Sequence, residues 1–220
     1  MVADMAAFTS EHLIFLVSQP RSGSTMLQRI LAGQPQIHTT AEPWLMLHPI
    51  YALRSQGHEA EYNAQLAREA LQDFFGALPG GQKDYEEAIR QMALYLYGTA
   101  VQKAGKRFFL DKSPRYYLIL SDLARILPQA KFILLFRNPL AVLNSILNSS
   151  IKGRWVLLAR FKNDLLLAPQ LLLEAADSMP DRVYVVHYEE LVTEPQEQVA
   201  AMCSWLGLPY QSQMLEYGRK

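Results

Sequence analysis

The 220-residue sequence contains a single cysteine, Cys203, and therefore cannot form an internal disulfide. That shortage is typical of proteins from reducing compartments. The apolar neighbours of Cys203 favour a buried helical position over a catalytic thiol. An excess of positive charge is also missing, because 21 Lys and Arg are matched by 21 Asp and Glu. Nucleic acid is therefore an unfavourable partner, and any anion must be bound by local groups.

Long hydrophobic runs are absent as well, although 50% of the residues are hydrophobic. No run approaches the ~20 apolar residues that a membrane-spanning helix requires. The first residues, MVADMAAFTSEHL, lack the basic and apolar regions of a signal peptide. We therefore expect no membrane span and a cytoplasmic location. Nothing in the pattern indicates an oligomeric state.

Short apolar runs alternate with longer amphipathic segments along the chain, which predicts an α/β fold with a mainly parallel sheet flanked by helices. The length fits one domain over residues 1–220. Residues 43–106 have helical periodicity on both sides of a Pro-Gly-Gly break and predict a helical insert. Strands are also predicted at 13–18, 37–40, 107–110, 131–136 and 182–187, and helices at 25–32, 116–127, 139–149, 154–178 and 195–206.

A polar loop of small residues joins the first predicted strand to the helix that follows, with the sequence SQPRSGST from Ser18 to Thr25. Free backbone N–H groups and the dipole of a helix N-terminus both favour an anion at such a loop. Gly23 permits a tight turn or a close approach by a ligand, and Arg21 adds a cation suited to phosphate or sulfate oxygens. The loop is not a Walker A motif, because the first glycine and the lysine are missing. An ordinary polar turn is the alternative.

A second cationic position follows the predicted strand 131–136. Many magnesium-nucleotide enzymes place an aspartate there, whereas this chain presents Arg137, which suits a second phosphate better than a metal. Asn138 and Pro139 predict the start of a helix. Ser145 would lie about 80° around that helix from Arg137 and could reach the same anion. A small polar residue on a packed helix is the alternative for Ser145.

These two motifs resemble those of sulfotransferases that use 3′-phosphoadenosine 5′-phosphosulfate (PAPS). FLVSQPRSGSTMLQRIL is similar to the family's 5′-phosphosulfate loop, and FRNPLAVLNS is similar to its 3′-phosphate motif. The resemblance implies a P-loop-type three-layer sandwich, and it covers the segment 43–106 poorly. The arginine at position 21 resembles the tyrosylprotein and several bacterial branches, whereas many cytosolic members have lysine there.

The resemblance also implies which residues bind the donor. The 5′-phosphosulfate would be held by the first motif and the 3′-phosphate by the second, that is, by Arg21, Ser22, Gly23, Ser24 and Thr25 and by Arg137 and Ser145 respectively. Tyr188 lies in a segment similar to the family's YE-x-L and would approach the adenine. The product would be adenosine 3′,5′-bisphosphate (PAP), and no metal is expected.

Catalytic roles follow from the same resemblance. Glu42 matches the offset from the loop at which the tyrosylprotein and bacterial branches have their base, so it would take the proton of the acceptor hydroxyl. Lys112 and Arg21 would neutralise the charge that develops during in-line transfer of the sulfuryl group. His38 and His48 are rival bases.

Two other activities stay open. Asp111 follows a predicted strand and would suit a metal-binding residue of a P-loop kinase that uses ATP and Mg²⁺. A catalytically inactive nucleotide-binding domain is the third reading, because a basic loop that often closes over the 3′-phosphate in the family has no counterpart before Lys220. A shortened C-terminus is therefore expected.

The acceptor is the least defined partner. Aromatic and apolar residues of the insert, including Trp44, Met46, Leu47 and Tyr51, favour a small-molecule or lipid-like alcohol, or a carrier-bound acyl chain with a hydroxyl. A peptide tyrosine or a sugar remains open.

Overall fold

The computed structural model describes residues 8–219, and within them five strands form one parallel sheet. The strands in chain order are β1 (Leu13–Ser18), β2 (Ile37–Thr39), β3 (Phe108–Lys112), β4 (Lys131–Phe136) and β5 (Val183–His187). Their spatial order is β2-β3-β1-β4-β5, so that β1 lies at the centre. The predicted parallel α/β architecture is confirmed.

The α-helices pack on both faces of this sheet. They are α1 (Ser24–Ala32), α2 (Leu47–Tyr51), α3 (Ala64–Phe75), α4 (Gln82–Ala104), α5 (Leu120–Ile126), α6 (Pro139–Ile146), α7 (Ala168–Ser178), α8 (Tyr188–Thr193) and α9 (Pro195–Leu206). Helices α2, α3 and α4 occupy the segment 43–106. Within residues 8–219, no helix is both long and apolar enough to cross a membrane.

Alternate side chains of β1 enter two separate hydrophobic layers, because successive residues of a strand point to opposite faces. Leu13, Phe15 and Val17 pack in the layer that contains α4, α5 and α7. Ile14 and Leu16 pack in the layer that contains α1 and α9. All five side chains are buried, as expected for a parallel sheet covered on both faces. The predicted three-layer sandwich is therefore confirmed.

The order of the strands places a crevice at the carboxyl end of β1. The chain leaves β1 toward β2 on one side of the sheet, and it leaves β4 toward β5 on the other side. Ligands of open α/β sheets bind at such a switch point, outside the carboxyl ends of the strands. Ser18 pairs with Leu135 and Leu16 pairs with Lys112, so the ends of β1, β3 and β4 lie side by side.

Several helical and strand boundaries differ from the prediction, and α6, for example, ends at Ile146 and not at 149. Strand β3 runs on to Lys112 instead of ending before Asp111. The segment 116–127 begins as a 3-10 helix, and α5 follows it. The stretch 154–178, predicted to be helical with a break or kink at Pro169, is divided into a 3-10 helix, a π-helical turn and α7, so its breaks lie before Pro169. Pro169 lies in the first turn of α7, where a missing N–H costs nothing.

Candidate active site

The loop between β1 and α1 turns sharply toward the start of the helix. Arg21 and Gly23 both adopt left-handed conformations, with φ of 75° and 96°. Gly23 is the residue before the first turn of α1, and no side chain caps the N–H groups there. Ser24 and Thr25 form that first turn. The loop therefore presents backbone donors and two hydroxyls at the positive end of a nine-residue helix, as an anion site requires.

Gly23 is also in close contact with an aromatic ring. A Cβ atom at this position would lie 2.5 Å from both Cδ2 and Cε2 of Tyr188, which is too close for any real contact. Tyr188 is the first residue of α8, directly after β5. The glycine thus serves the turn, as predicted, and its missing Cβ also leaves room for an edge of the Tyr188 ring against the loop.

Arg137 joins the second motif to the first. Its guanidinium carbon lies 4.2 Å from the centre of the Tyr188 ring, which is a cation–π contact. One guanidinium nitrogen donates to the backbone oxygen of Arg21 at 3.0 Å. Arg21 in turn donates from Nε to Ser145 Oγ at 3.3 Å. The two predicted motifs therefore meet in space.

The helix after Arg137 begins as predicted. The side chain of Asn138 accepts hydrogen bonds from the backbone N–H groups of Leu140 and Ala141, and Pro139 occupies the first helical position. The backbone N–H of Asn138 donates to Glu189 Oε1 at 2.9 Å. This contact fixes α6 against the start of α8, and so holds Ser145 and Tyr188 on the same side of the sheet edge.

Glu42 and Lys112 form an ion pair at the carboxyl ends of β2 and β3. Lys112 Nζ lies 2.6 Å from Glu42 Oε1 and 3.5 Å from Thr25 Oγ1. The second carboxylate oxygen of Glu42 accepts a hydrogen bond from Trp44 Nε1 at 3.0 Å. The ammonium group of Lys112 thus lies between the first turn of α1 and the Glu42 carboxylate.

A cleft of about 380 Å³, here called the loop cleft, opens over the start of α1. Seven of the ten predicted site residues line it, namely Arg21, Gly23, Ser24, Thr25, Glu42, Arg137 and Ser145. Ser22, Lys112 and Tyr188 are not among the residues that line it. The Ser22 hydroxyl is fully buried, and among the described residues neither its Oγ nor Arg137 Nε has a hydrogen-bond partner.

The rival bases lie outside the loop cleft. His38 is on β2, with its ring edge-on to Phe109, and burial lowers its pKa, with a smaller contribution from Lys106. His48 lies on α2 and lines a different cavity. Neither histidine lines the cleft that contains Glu42.

Asp111 points into the core. Its carboxylate is 1% exposed and accepts hydrogen bonds from the hydroxyls of Tyr97, Ser113 and Tyr116. Burial raises its pKa to about 6. Within the described part of the chain, no three His, Cys, Asp or Glu side chains are grouped as metal ligands. This arrangement fits a structural carboxylate better than a metal ligand.

Two features were missed in the sequence. Arg115 forms a two-point ion pair with Asp164, from Nε at 3.1 Å and Nη2 at 2.8 Å, and Tyr117 donates to the same carboxylate. A second cavity of about 630 Å³, here called the aromatic cleft, lies beside the loop cleft and shares Trp44 and Arg115 with it. The ion pair has no local sequence signal, since its partners are 49 residues apart in the chain. Trp44, Leu47 and Tyr51, which favour an apolar acceptor in the sequence, line the aromatic cleft, but their spacing does not predict the cavity.

Sequence comparisons match this chain to known proteins over nearly its whole length. The model of the sulfotransferase family matches residues 14–212. Nodulation protein NoeE of Sinorhizobium fredii is 30% identical, over 89% of this chain and 50% of that protein. Protein-tyrosine sulfotransferase 1 of Danio rerio is 25% identical, over 93% of this chain and 56% of that protein. The chain thus spans about half the length of these curated relatives.

Solved structures give the same result for the fold. The sulfotransferase domain from the curacin biosynthetic pathway superposes with a TM-score of 0.62, at 23% identity, and 94% of this chain matches 77% of that one. A mouse sulfotransferase complexed with PAP superposes with a TM-score of 0.52, at 18% identity, over 96% of this chain and 67% of that one. Together with the family match, these similarities show that the chain belongs to the sulfotransferase family.

Proposed function

We propose that this protein transfers the sulfuryl group of PAPS to an acceptor hydroxyl, with Glu42 as the general base. The observation that carries the proposal is the meeting of two anion-binding motifs and one carboxylate in the loop cleft. Membership of the sulfotransferase family indicates the reaction class, and the arrangement of side chains in the loop cleft supports PAPS as the donor. A mouse relative by fold is complexed with PAP, the product expected from this donor.

The start of α1 suits the 5′ end of the donor. No side chain caps the N–H groups at the start of α1, and Ser24, Thr25 and Arg21 all line one cleft. Such groups bind a phosphate or sulfate without a metal, because backbone donors and the helix dipole act together. The left-handed turn at Gly23 brings these donors close to one another.

The residues around Tyr188 suit the other end of the donor. Arg137 and Ser145 line the same cleft and would hold the 3′-phosphate, and the buried Arg137 Nε has no hydrogen-bond partner among the described residues. Tyr188 supplies an aromatic surface beside Arg137 for the adenine. The residues present therefore fit a nucleotide with phosphates at two positions.

When bound, the donor would supply the sulfuryl group and would leave as PAP after in-line attack by the acceptor oxygen. Glu42 Oε1 and Oε2 are fixed by Lys112 and Trp44, and a carboxylate has further lone pairs that can accept the hydroxyl proton. Lys112 Nζ lies between Glu42 and Thr25, where it can neutralise charge that develops near the loop. Arg21 adds a second cation.

A kinase that uses ATP and Mg²⁺ is the second candidate function, and the site favours it less. The Walker lysine is missing from the loop. Asp111 accepts three hydroxyl hydrogen bonds in the core and does not line the loop cleft. Arg137 occupies the position after β4 where a metal-binding aspartate would be expected.

Thermal-shift titration distinguishes these candidates. PAP without metal is compared with ATP plus Mg²⁺, on the wild type and on Arg137→Ala. A ligand at 100 times its Kd stabilises the fold by about 2.7 kcal/mol, which is readily measured. Stabilisation by PAP that is lost in Arg137→Ala supports the PAPS donor, whereas stabilisation by ATP plus Mg²⁺ alone would favour the kinase. PAP binding without transfer to any acceptor would indicate an inactive nucleotide-binding domain.

A further inference from the structure

The aromatic cleft opens directly beside the carboxylate that the proposed function uses as a base. Trp44 and Arg115 line both cavities and so form the partition between them. Trp44 also donates its indole N–H to Glu42. A hydroxyl at the mouth of the aromatic cleft would therefore lie next to the loop cleft.

Trp44 is held in a conformation that bulky residues rarely adopt. Its φ of 52° is left-handed, which costs on the order of 1–3 kcal/mol for a residue other than glycine. Such strain persists only where the surrounding contacts require it. Here the indole ring is turned so that its nitrogen meets Glu42 and its surface borders both cavities.

The wall of the aromatic cleft is largely apolar and is built around Tyr51. Leu47 and Leu118 contribute aliphatic side chains to it. Gly57, with φ of 90°, packs against the Tyr51 ring, since a Cβ there would lie 3.0 Å from Cε1. The ring of His58 meets Tyr51 edge-on, with 6.0 Å between the centres. These contacts hold the loop before α3 as the outer wall of a cavity large enough for a drug-sized ligand.

The charges of the aromatic cleft oppose a negative ligand. Among its described lining residues, Arg115 is the only lysine or arginine, and the buried Asp164 already offsets that charge at 2.8 Å. Glu59 and Glu61 add two carboxylates to the lining. An acceptor with a carboxylate would meet like charge here, whereas an uncharged molecule would not.

Resting on the proposed function, we propose that the aromatic cleft is the acceptor site and that it takes an uncharged, largely apolar alcohol or phenol. The apolar wall binds the body of the molecule, and the partition at Trp44 directs its hydroxyl toward Glu42. Glu59 and Glu61 discriminate against acceptors that carry a carboxylate.

The test uses two matched probes, a neutral naphthol and a naphthol that carries one carboxylate. Transfer from PAPS to each is measured as kcat/KM, and binding of each is measured in the presence of PAP. The neutral naphthol is expected to bind and react better. In Glu59→Gln/Glu61→Gln, the preference for it should fall by about 5-fold, as expected for exposed charges.

A cavity-filling variant tests the location. Ala60→Trp should raise the KM of the neutral naphthol by about 10-fold and leave PAP binding unchanged, because Ala60 lines the aromatic cleft only. Thr99→Trp is the matched control, since Thr99 lines a different cavity of about 690 Å³. His12, which also lines that cavity, directly precedes β1, so this cavity lies at the amino end of the strand, away from the loop cleft. That control should change neither quantity.

Three outcomes would overturn the inference while PAP still binds. They are equal or better use of the carboxylated naphthol by the wild type, failure of the neutral naphthol to bind or react, and an unchanged KM in Ala60→Trp. If the wild type does not bind PAP, that result would instead contradict the proposed function itself.

Discussion

Lys112 Nζ lies 2.6 Å from Glu42 Oε1, and this pair joins the end of β3 to the segment after β2. The side chain of Lys112 is 5% exposed, whereas that of Glu42 is 36% exposed. A nearly buried cation is therefore balanced by a carboxylate that faces the loop cleft. Glu42 can act as a proton acceptor and as the hydrogen-bond partner of Lys112. A substitution by glutamine removes the first role and can keep the second.

Glu42→Gln should reduce kcat by at least about 100-fold, because an amide keeps the shape of the carboxylate and cannot take a proton. PAP affinity should stay nearly unchanged. Glu197→Gln, in the first turn of α9, is the control and should leave both quantities unaltered. Turnover and PAP binding are measured on the same preparations. Loss of PAP binding would show that Glu42 acts in donor binding, and full activity would return His48 and His38 to consideration.

Gly23→Ala should weaken PAP binding by about 10-fold or more. The new Cβ would lie 2.5 Å from the Tyr188 ring, and φ of 96° is unfavourable for alanine. The ring would have to move, and it would displace Arg137, which lies 4.2 Å from its centre.

A double-mutant cycle separates the two causes. In a Tyr188→Ala background, Gly23→Ala should cost less affinity than in the wild type, because the collision is gone and only the backbone strain remains. Isothermal titration with PAP measures each step. Equal costs in both backgrounds would mean that the contact between Gly23 and Tyr188 does not shape the binding site.

The buried carboxyl of Asp111 should make stability depend on pH. Burial raises its pKa from 3.8 to about 6. Between these two pH values, the carboxyl keeps its proton in the folded state and has lost it in the unfolded state. Its contribution to the free energy of unfolding is therefore greatest below pH 3.8 and decreases as the pH rises to about 6. The expected decrease is on the order of 3 kcal/mol. Asp111→Asn should flatten this part of a plot of Tm against pH, and an unchanged slope would contradict the assignment.

Much of the fold could be predicted because its signals are local. Strand β4 and helix α9 begin and end as predicted, since a short apolar run and a Pro-to-Gly helix each carry their own boundaries. The stretch 154–178 could not be predicted in this way. Its apolar spacing favours helical structure with a break at Pro169, yet Asp164 is buried and pairs with Arg115, a partner far away in the chain.

The candidate site likewise has one part that local sequence patterns predict and another part that depends on tertiary contacts. The loop from Ser18 to Thr25 and the position of Arg137 follow from strand-loop-helix patterns, and both line or border one cleft. The aromatic cleft depends on the left-handed Trp44 and on the packing of Gly57 against Tyr51. These contacts depend on tertiary structure, so residue spacing alone does not reveal them.

Asp164 should prove to be a positioning residue for the partition between the two clefts. Its side chain is 3% exposed, it holds Arg115 at two points, and its backbone oxygen accepts a hydrogen bond from Gln19 in the loop at 2.9 Å. Asp164→Asn would set an amide N–H against the guanidinium of Arg115. The free energy of unfolding should fall by about 2 kcal/mol, less than for a fully buried pair because Arg115 is 38% exposed.

The kinetic effect of Asp164→Asn distinguishes positioning from stability alone. Released from Asp164, Arg115 can leave the partition, so the KM for a naphthol acceptor should rise while the Kd for PAP stays constant. Asp122→Asn is the matched control, because Asp122 likewise pairs with arginines, but these partners, Arg54 and Arg125, line neither cleft, whereas Arg115 lines both. It should lower stability without changing the KM. If both variants lose stability and neither changes the KM, then the ion pair of Arg115 with Asp164 supports the fold and has no part in acceptor binding.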